Sequence, residues 1–363
     1  MWTALAASAD GSKLVAAVGG FNSGPLYTST NSGSTWTLTS APGTNWYAVA
    51  SSADGTKLVA VSGGLTSKSP IYTSTNSGAT WTQTSASSNY WWTVASSADG
   101  TKLVAAGARN RAVPIYHSTN SGATWWSNNS PVLNWISIVS SADGTRLAAL
   151  ASGAGSGVYT STNWGANWVS NAVPAAGANV RALAASADGS KLVLVADGAN
   201  GAVYTSTNFG NSWIKTSAPS SYWFAVACSA DGSILGAAGN SGAIFTSTDA
   251  GATWTSNNAP VGSWNALAVS ADGGKWAGAL GSGGIYTAQA VQPPVLKIAA
   301  AGSFTALSWI VPSTNSVLQQ NSDLTPSNWS TVGVTPVLNL TNLHNEVLLP
   351  RAAARSFYQL KSP

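Results

Sequence analysis

Two phrases within residues 46–81 decide the fold: Ser52-Ala53-Asp54-Gly55 and Ser74-Thr75-Asn76-Ser77-Gly78-Ala79-Thr80-Trp81. Asp54-Gly55 marks a tight hairpin, because Asp bonds to its own backbone and Gly accepts a positive φ. Short apolar runs bounded by turn residues around it predict four strands, at 46–51, 57–62, 70–74 and 80–84. Both phrases recur. Ser-Ala-Asp-Gly begins at Ser8, Ser52, Ser97, Ser141, Ser186, Ser229 and Ser270, at spacings of 44, 45, 44, 45, 43 and 41. The second phrase, Ser-Thr-Asn/Asp-x-Gly-x-x-Trp, begins at Ser29, Ser74, Ser118, Ser161, Ser206 and Ser247. Four short strands per unit at this period predict an all-β fold, a seven-bladed β-propeller over residues 1–292.

The second phrase resembles the Asp-box of sialidases, sortilin-type receptors and bacterial-neuraminidase-repeat propellers, whose pattern is Ser/Thr-x-Asp-x-Gly-x-x-Trp. Asn31, Asn76, Asn120, Asn163 and Asn208 stand at the acidic position, and Asp249 keeps the acid. The resemblance implies a folding device at the third hairpin, where Asn still accepts a turn hydrogen bond. No seventh copy follows Tyr286, and Gln292-Pro293-Pro294 interrupts the unit, so the last blade is expected to lack its fourth strand.

From residue 293 the pattern changes. Apolar runs at 295–298, 305–310, 316–319, 337–340 and 346–349 predict a small β-sandwich over 293–363. Residues 318–324, Trp329 and residues 357–361 resemble C-terminal modules of secreted bacterial proteins, which implies export and a secreted or cell-surface location. Residues 1–20 lack the basic and apolar regions of a signal peptide, and Trp2 already stands inside a repeat, so a natural leader is expected to have been removed.

The composition is turn-rich and poor in charge. Among 363 residues stand 37 Gly and 18 Trp, against 15 Lys and Arg and 11 Asp and Glu. The net charge of +4 is scattered singly, which argues against nucleic acid as partner. There is no run of apolar residues long enough for a membrane-spanning helix. Cys228 has no second Cys to pair with, and His117 and His344 are the only histidines, so neither a disulfide nor a Cys/His metal cluster is expected, and no cofactor is implied.

The acidic inventory bears on chemistry. Residues 1–292 contain no Glu. Seven of their nine Asp are the hairpin residues Asp10, Asp54, Asp99, Asp143, Asp188, Asp231 and Asp272, and Asp249 is the second-motif residue. Asp197 is left without an evident structural part, and glycoside hydrolysis needs two carboxylates across a cleft. The arginine triad and Tyr/Glu nucleophile pair of sialidases cannot be assembled. His117 occupies a slot filled by Thr28, Thr73 and Thr160 in other repeats, and Cys228 replaces Ser51 and Ser96, so both read first as repeat variants. No complete catalytic constellation emerges.

The two ends of the ring differ. The Asp-Gly hairpins carry Lys13, Lys57, Lys102, Arg146, Lys191 and Lys275, a basic ring read as a solubility device. The opposite end varies from repeat to repeat, as binding faces do. Blade three brings Arg109 and Arg111 there, and blade five Asp197. Each first strand opens on that side with Trp2, Trp46, Trp91, Trp135, Trp223 or Trp264, with Val180 in blade five. These indoles either wedge between blades or ring a channel mouth where they stack on sugars. Trp92 breaks the repeat beside them. The candidate ligand-binding residues are therefore Trp46, Trp91, Trp92, Trp135, Trp223, Trp264, Arg109, Arg111 and Asp197.

The reading is an exported, non-catalytic binding or scaffold propeller with a glycan or protein ligand. The alternative is a hydrolase acting on a polysaccharide or ester through Asp197, Arg109, Arg111 and His117. A third reading, by likeness of fold, is an assembly factor similar to the photosystem-associated Asp-box propellers.

Overall fold

The computed structural model describes residues 1–20, 22–63, 68–107, 112–127, 130–172, 179–198, 200–240, 242–289, 295–310, 317–322, 328–340, 343–351 and 356–361. All regular structure within them is strand and turn. In the second repeat the strands are Trp46–Ser51, Leu58–Ser62, Ile71–Ser74 and Thr82–Gln83, within two residues of the expected bounds. They pair antiparallel in sequence order, each with the next. Six repeats build such a four-stranded sheet. The seventh, Trp264–Val269, Lys275–Leu280 and Ile285–Gln289, has three strands.

Two further sheets bring the described total to nine. One orders Lys297–Ala301, Phe304–Ile310, His344–Pro350 and Val337–Asn339, and the other Ser330–Thr331, Val317–Asn321 and Phe357–Lys361. Leu307, Trp309, Leu318, Val332, Val347 and Leu349, drawn from both, form one buried cluster.

The hairpin motif works as a clasp. Ser52 Oγ donates to Asp54 Oδ1 at 2.5 Å, the Thr56 N–H donates to the same oxygen at 3.0 Å, and the Thr56 hydroxyl donates to Oδ2 at 2.7 Å. Ser52 Oγ accepts the Lys57 N–H at 3.0 Å, closing the turn, and Gly55 takes φ 66. A Cβ at Gly55 would stand 2.8 Å from the Lys13 side chain, so both the angle and the space demand glycine.

The same hairpins join the repeats into a closed ring. The N–H of Ala9 donates to the carbonyl of Ala53, Ala53 to Ala98, Ala98 to Ala142, Ala142 to Ala187, Ala187 to Ala230, Ala230 to Ala271, and Ala271 back to Ala9, at 2.6 to 2.8 Å. A circle of repeated antiparallel sheets about one axis is a β-propeller. The basic ring is part of this closure. Lys13, Lys57, Lys102 and Lys191 donate from Nζ to the carbonyls of Asp54, Asp99, Asp143 and Asp231 in the next repeat, at 2.7 to 3.0 Å. The reading of these cations as a solubility device thus misses their main contact: each ties one hairpin to its neighbour.

The clasps also make stability depend on pH. Burial works to raise the carboxyls of Asp10, Asp54, Asp99, Asp143, Asp188 and Asp231, but bonds from Ser or Thr hydroxyls and N–H groups, with a neighbouring cation, outweigh it and hold all six below the ordinary value. Depressed folded-state pKa values mean that the unfolded chain binds more protons as acid is added. The stabilisation is complete above the ordinary carboxylate range near ~4 and is lost as pH falls through the lower folded values. The urea midpoint is therefore expected to hold from pH 7 to pH 5 and drop steeply below about pH 4. A midpoint flat to pH 2 would contradict the clasp.

Between sheets the core is repetitive. Trp46, Trp91, Trp135, Trp223 and Trp264 are fully buried, each against an aromatic residue of its own third strand. The rings meet edge to face, as in Trp91 with Tyr116 at 5.1 Å and Trp135 with Tyr159 at 5.2 Å. The alanines and valines of the second strands let the sheets approach around these indoles.

Candidate functional site at the channel mouth

Each innermost strand carries one irregularity at the same place. The pairing register skips a residue just after Trp2, Trp46, Trp91, Trp135, Val180, Trp223 and Trp264. The skipped residues are Thr3, Tyr47, Trp92, Ile136, Arg181, Phe224 and Asn265. A β-bulge leaves its extra residue unpaired and re-aims its side chain. These seven side chains meet around a cavity of about 350 Å³, with Thr93 and Ser137 also in its wall. The repeat thus holds the Trp between sheets and delivers the next residue to the axis.

The chemistry of this ring is mixed. The rings of Tyr47 and Trp92 meet at a tilt of 36° with centroids 4.7 Å apart, and the Tyr47 hydroxyl donates to the Gly20 carbonyl at 2.8 Å, which pins the pair. Across the cavity Arg181 sits 5.1 Å over the ring of Phe224, which is 40% exposed. Asp197 Oδ2 accepts both the Arg181 Nε, at 2.9 Å, and its Nη2. Both partners are largely buried, so they neutralise one another at the wall. Asn265 donates from Nδ2 to the Trp2 carbonyl at 2.7 Å, which leaves the amide oxygen as its acceptor.

Several expectations change here. Trp46, Trp91, Trp135, Trp223 and Trp264 do not ring the mouth: at 0% exposure they have no free face for a ligand, because the bulge passes that role to the following residue. Asp197 is not an unassigned carboxylate, since it holds Arg181. Trp92 does line the cavity. Arg109 and Arg111 lie outside the described residues. Arg181, Tyr47, Phe224, Ile136, Thr3 and Asn265 were not singled out from sequence, although a signal existed. At one position of an otherwise monotonous repeat, seven units carry seven different residue types.

Among the described residues every carboxylate has a partner: the hairpin clasps hold seven, Thr253 and Ser247 hold Asp249, Arg181 holds Asp197, and Asn339 donates to Glu346 at 2.9 Å. Hydroxyl and N–H bonds from Thr253, with Ser247, lower Asp249 to about 2. His117 is buried with its ring 5.4 Å from that of Trp164, away from the cavity wall. At the other end of the channel, Cys228 faces a passage lined by hairpin serines and alanines. Cys228 is half-buried there, and its removal from water pushes the thiol up to about 12, too high for a nucleophile at neutral pH. No group of three or more His, Cys, Asp or Glu able to hold a metal ion occurs among the described residues.

Neither a protein-family model nor a curated protein matches the chain. Solved structures do. A GH74 xyloglucanase from Xanthomonas campestris aligns over 85% of this chain and 58% of its own, with 17% identity and a TM-score of 0.63. This chain thus spans less than two thirds of that enzyme. YCF48 bound to D1 peptide aligns over 80% of this chain and 93% of its own, with 16% identity and a TM-score of 0.59. Kuenenia stuttgartiensis hydrazine synthase aligns over 79% and 95%, with 13% identity and a TM-score of 0.64. At these identities the likeness is one of fold, and the fold it shows is a β-propeller.

Proposed function

We propose that the protein is an exported, non-catalytic binding propeller that takes a glycan at the channel mouth. Seven of its sheets act as blades, the Ser-Thr-Asn/Asp-x-Gly-x-x-Trp motif does the structural work of an Asp-box, and residues 293–363 form a separate β-sandwich module. The observation that carries the reading is the bulged position. A repeat that keeps its clasps, lysines and indoles nearly constant has diversified the bulged side chain that each unit sends to the cavity, and three of the seven are aromatic.

A neutral sugar suits the chemistry. Aromatic faces at Tyr47, Trp92 and Phe224 match the apolar face of a pyranose, and Thr93, Ser137 and Asn265 offer hydrogen bonds at the wall. Among the described side chains of the wall the one cation, Arg181, is already neutralised by Asp197. The fold is compatible with the reading, since one neighbour is a xyloglucanase; another is bound to a peptide, which makes a polypeptide segment the competing ligand.

The test is a glycan array run beside a peptide library, with wild type, Trp92→Ala and Phe224→Ala. Each variant is expected to weaken glycan binding by about ten-fold, the loss of one stacked ring, with the unfolding midpoint changed little. Binding of peptides alone would transfer the site to a protein partner. Equal binding by all three proteins would remove the mouth from consideration.

A further inference from the structure

The ring has a seam. In six sheets a fourth strand covers the third: Thr82–Gln83 pairs with Thr73 and Tyr72, and Thr37–Leu38 with Thr28 and Tyr27. In the last sheet the corresponding residues, Tyr286 and Thr287, pair inward with Gly278 and Ala277. Among the described residues no strand covers their outer edge. Both are exposed, whereas Tyr72 and Thr73 are half-buried.

The gap is a volume as well as an edge. Between the first and second sheets the crevice lined by Lys13, Thr28, Gly55 and Leu58 is closed, with a cavity volume of about 0 Å³. At the seam the equivalent residues, Lys275, Thr287, Gly11 and Leu14, line a cavity of about 260 Å³. What fills it elsewhere can be read from the sister junctions. The space beside Gly78 is occupied by Thr28, Leu58 and Thr39, and that beside Gly122 by Thr73, Thr84 and Leu103. Beside Gly33, at the seam, the nearest atoms belong to Thr287 and Leu14, and among the described residues no fourth strand supplies the counterpart of Thr39 or Thr84.

The aromatic anchor is not missing. Trp276 packs in the cluster of the last two sheets, where the motif Trp packs at other junctions, and Gly236 makes room for it, since a Cβ there would lie 2.3 Å from the indole. The open feature is therefore a short strand acceptor beside a small polar crevice.

We propose that this seam takes an extended strand of another polypeptide, of the form x-x-Thr-Ser, adding a fourth strand to the last sheet. The sister sheets specify the occupant. Thr37-Leu38-Thr39-Ser40, Thr82-Gln83-Thr84-Ser85 and Ile214-Lys215-Thr216-Ser217 share that form. The N–H groups of Thr39, Thr84 and Thr216 donate to the carbonyls of Leu26, Ile71 and Val203; the equivalent acceptor at the seam is Ile285. The hydroxyls of Ser40, Ser85 and Ser217 donate to the carbonyls of Ala79, Ala123 and Ala252; the equivalent acceptor is Ser34. Backbone groups two residues apart on a strand point the same way, so Ile285 and Thr287 both present their N–H and C=O outward.

The probe is a fluorescein-labelled peptide copying residues 82–88, Thr-Gln-Thr-Ser-Ala-Ser-Ser, titrated against the full chain by anisotropy. Saturable binding is expected, weakened about ten-fold or more by N-methylation of the second Thr, whose N–H faces the edge, and unchanged by N-methylation of Gln, whose N–H faces away. T287P, which removes an outward N–H at a position where an edge strand tolerates proline, should weaken binding similarly. If that variant does not fold, the two methylated peptides decide. No saturable binding, equal effects of the two methyl groups, or a self-association of the chain that excludes the peptide would each overturn the proposal.

Discussion

Trp135→Ala is expected to destabilise the protein by about 3–5 kcal/mol, the range for removing a fully buried large aromatic side chain. The indole is completely enclosed, meets Tyr159 edge to face, and donates from Nε1 to the Val113 carbonyl at 3.0 Å. It lies in a cluster built from the second strands of two sheets, Val104 and Ala106 on one side and Leu147 and Ala149 on the other. Those residues stand on paired strands and cannot collapse into the hole, so the loss should sit toward the upper end of that range. Urea unfolding would show a lowered midpoint with an unchanged slope. Trp92→Ala, at the next position of the sister repeat, should cost well under half as much, because its ring is half-exposed over Tyr47. Equal costs at the two sites would mean that the division of labour between the buried Trp and the bulged residue is wrong.

Asp197→Asn is expected to change both stability and ligand choice. Arg181 would keep its place over Phe224 but lose the negative charge that its Nε and Nη2 now engage, because asparagine offers only a neutral carbonyl oxygen. An Arg left without its anion in a largely buried setting costs about 1–3 kcal/mol. The larger consequence is electrostatic. The cavity wall would pass from neutral to carrying one free guanidinium, whose planar donors match a carboxylate in two places. An acidic glycan or a peptide C-terminus should then bind better than a neutral sugar, with a salt dependence that the parent lacks. The paired variant Arg181→Met with Asp197→Leu should restore the preference for neutral ligands. If Asp197→Asn leaves stability and the ranking of neutral and acidic ligands unchanged, the ion pair has no part in the site.

Much of the architecture was open to reading from residue order. A hairpin is a local object. Ser52, Asp54, Gly55 and Lys57 close theirs through bonds spanning at most five residues, so their chemistry is visible in one phrase and its repetition reveals the ring. The shortened last sheet was legible for the same reason, as a motif that failed to recur after Tyr286. The Lys13 type of contact was not, because Nζ reaches a carbonyl 41 residues away in the next repeat.

The candidate site was half visible. Trp92 is legible as a departure from the repeat, and the varied end of the ring as the face that differs from a scaffold. Strand alternation alone sends Trp46 and Tyr47 to opposite faces but says nothing of which face meets the axis. The extra residue at each bulge decides that, and a bulge is a property of two strands in register, not of one.

The sequence by itself determined that this is a repeated all-β chain, where its turns fall, and that most of its carboxylates are spent on those turns. Only the tertiary structure decided that the tryptophans are walls, that Thr3, Tyr47, Trp92, Ile136, Arg181, Phe224 and Asn265 share one cavity, and that Arg181 answers Asp197. Clasps and turns are set by neighbours a few residues apart, whereas a ring of side chains from seven strands exists only once the last repeat has bonded back to the first.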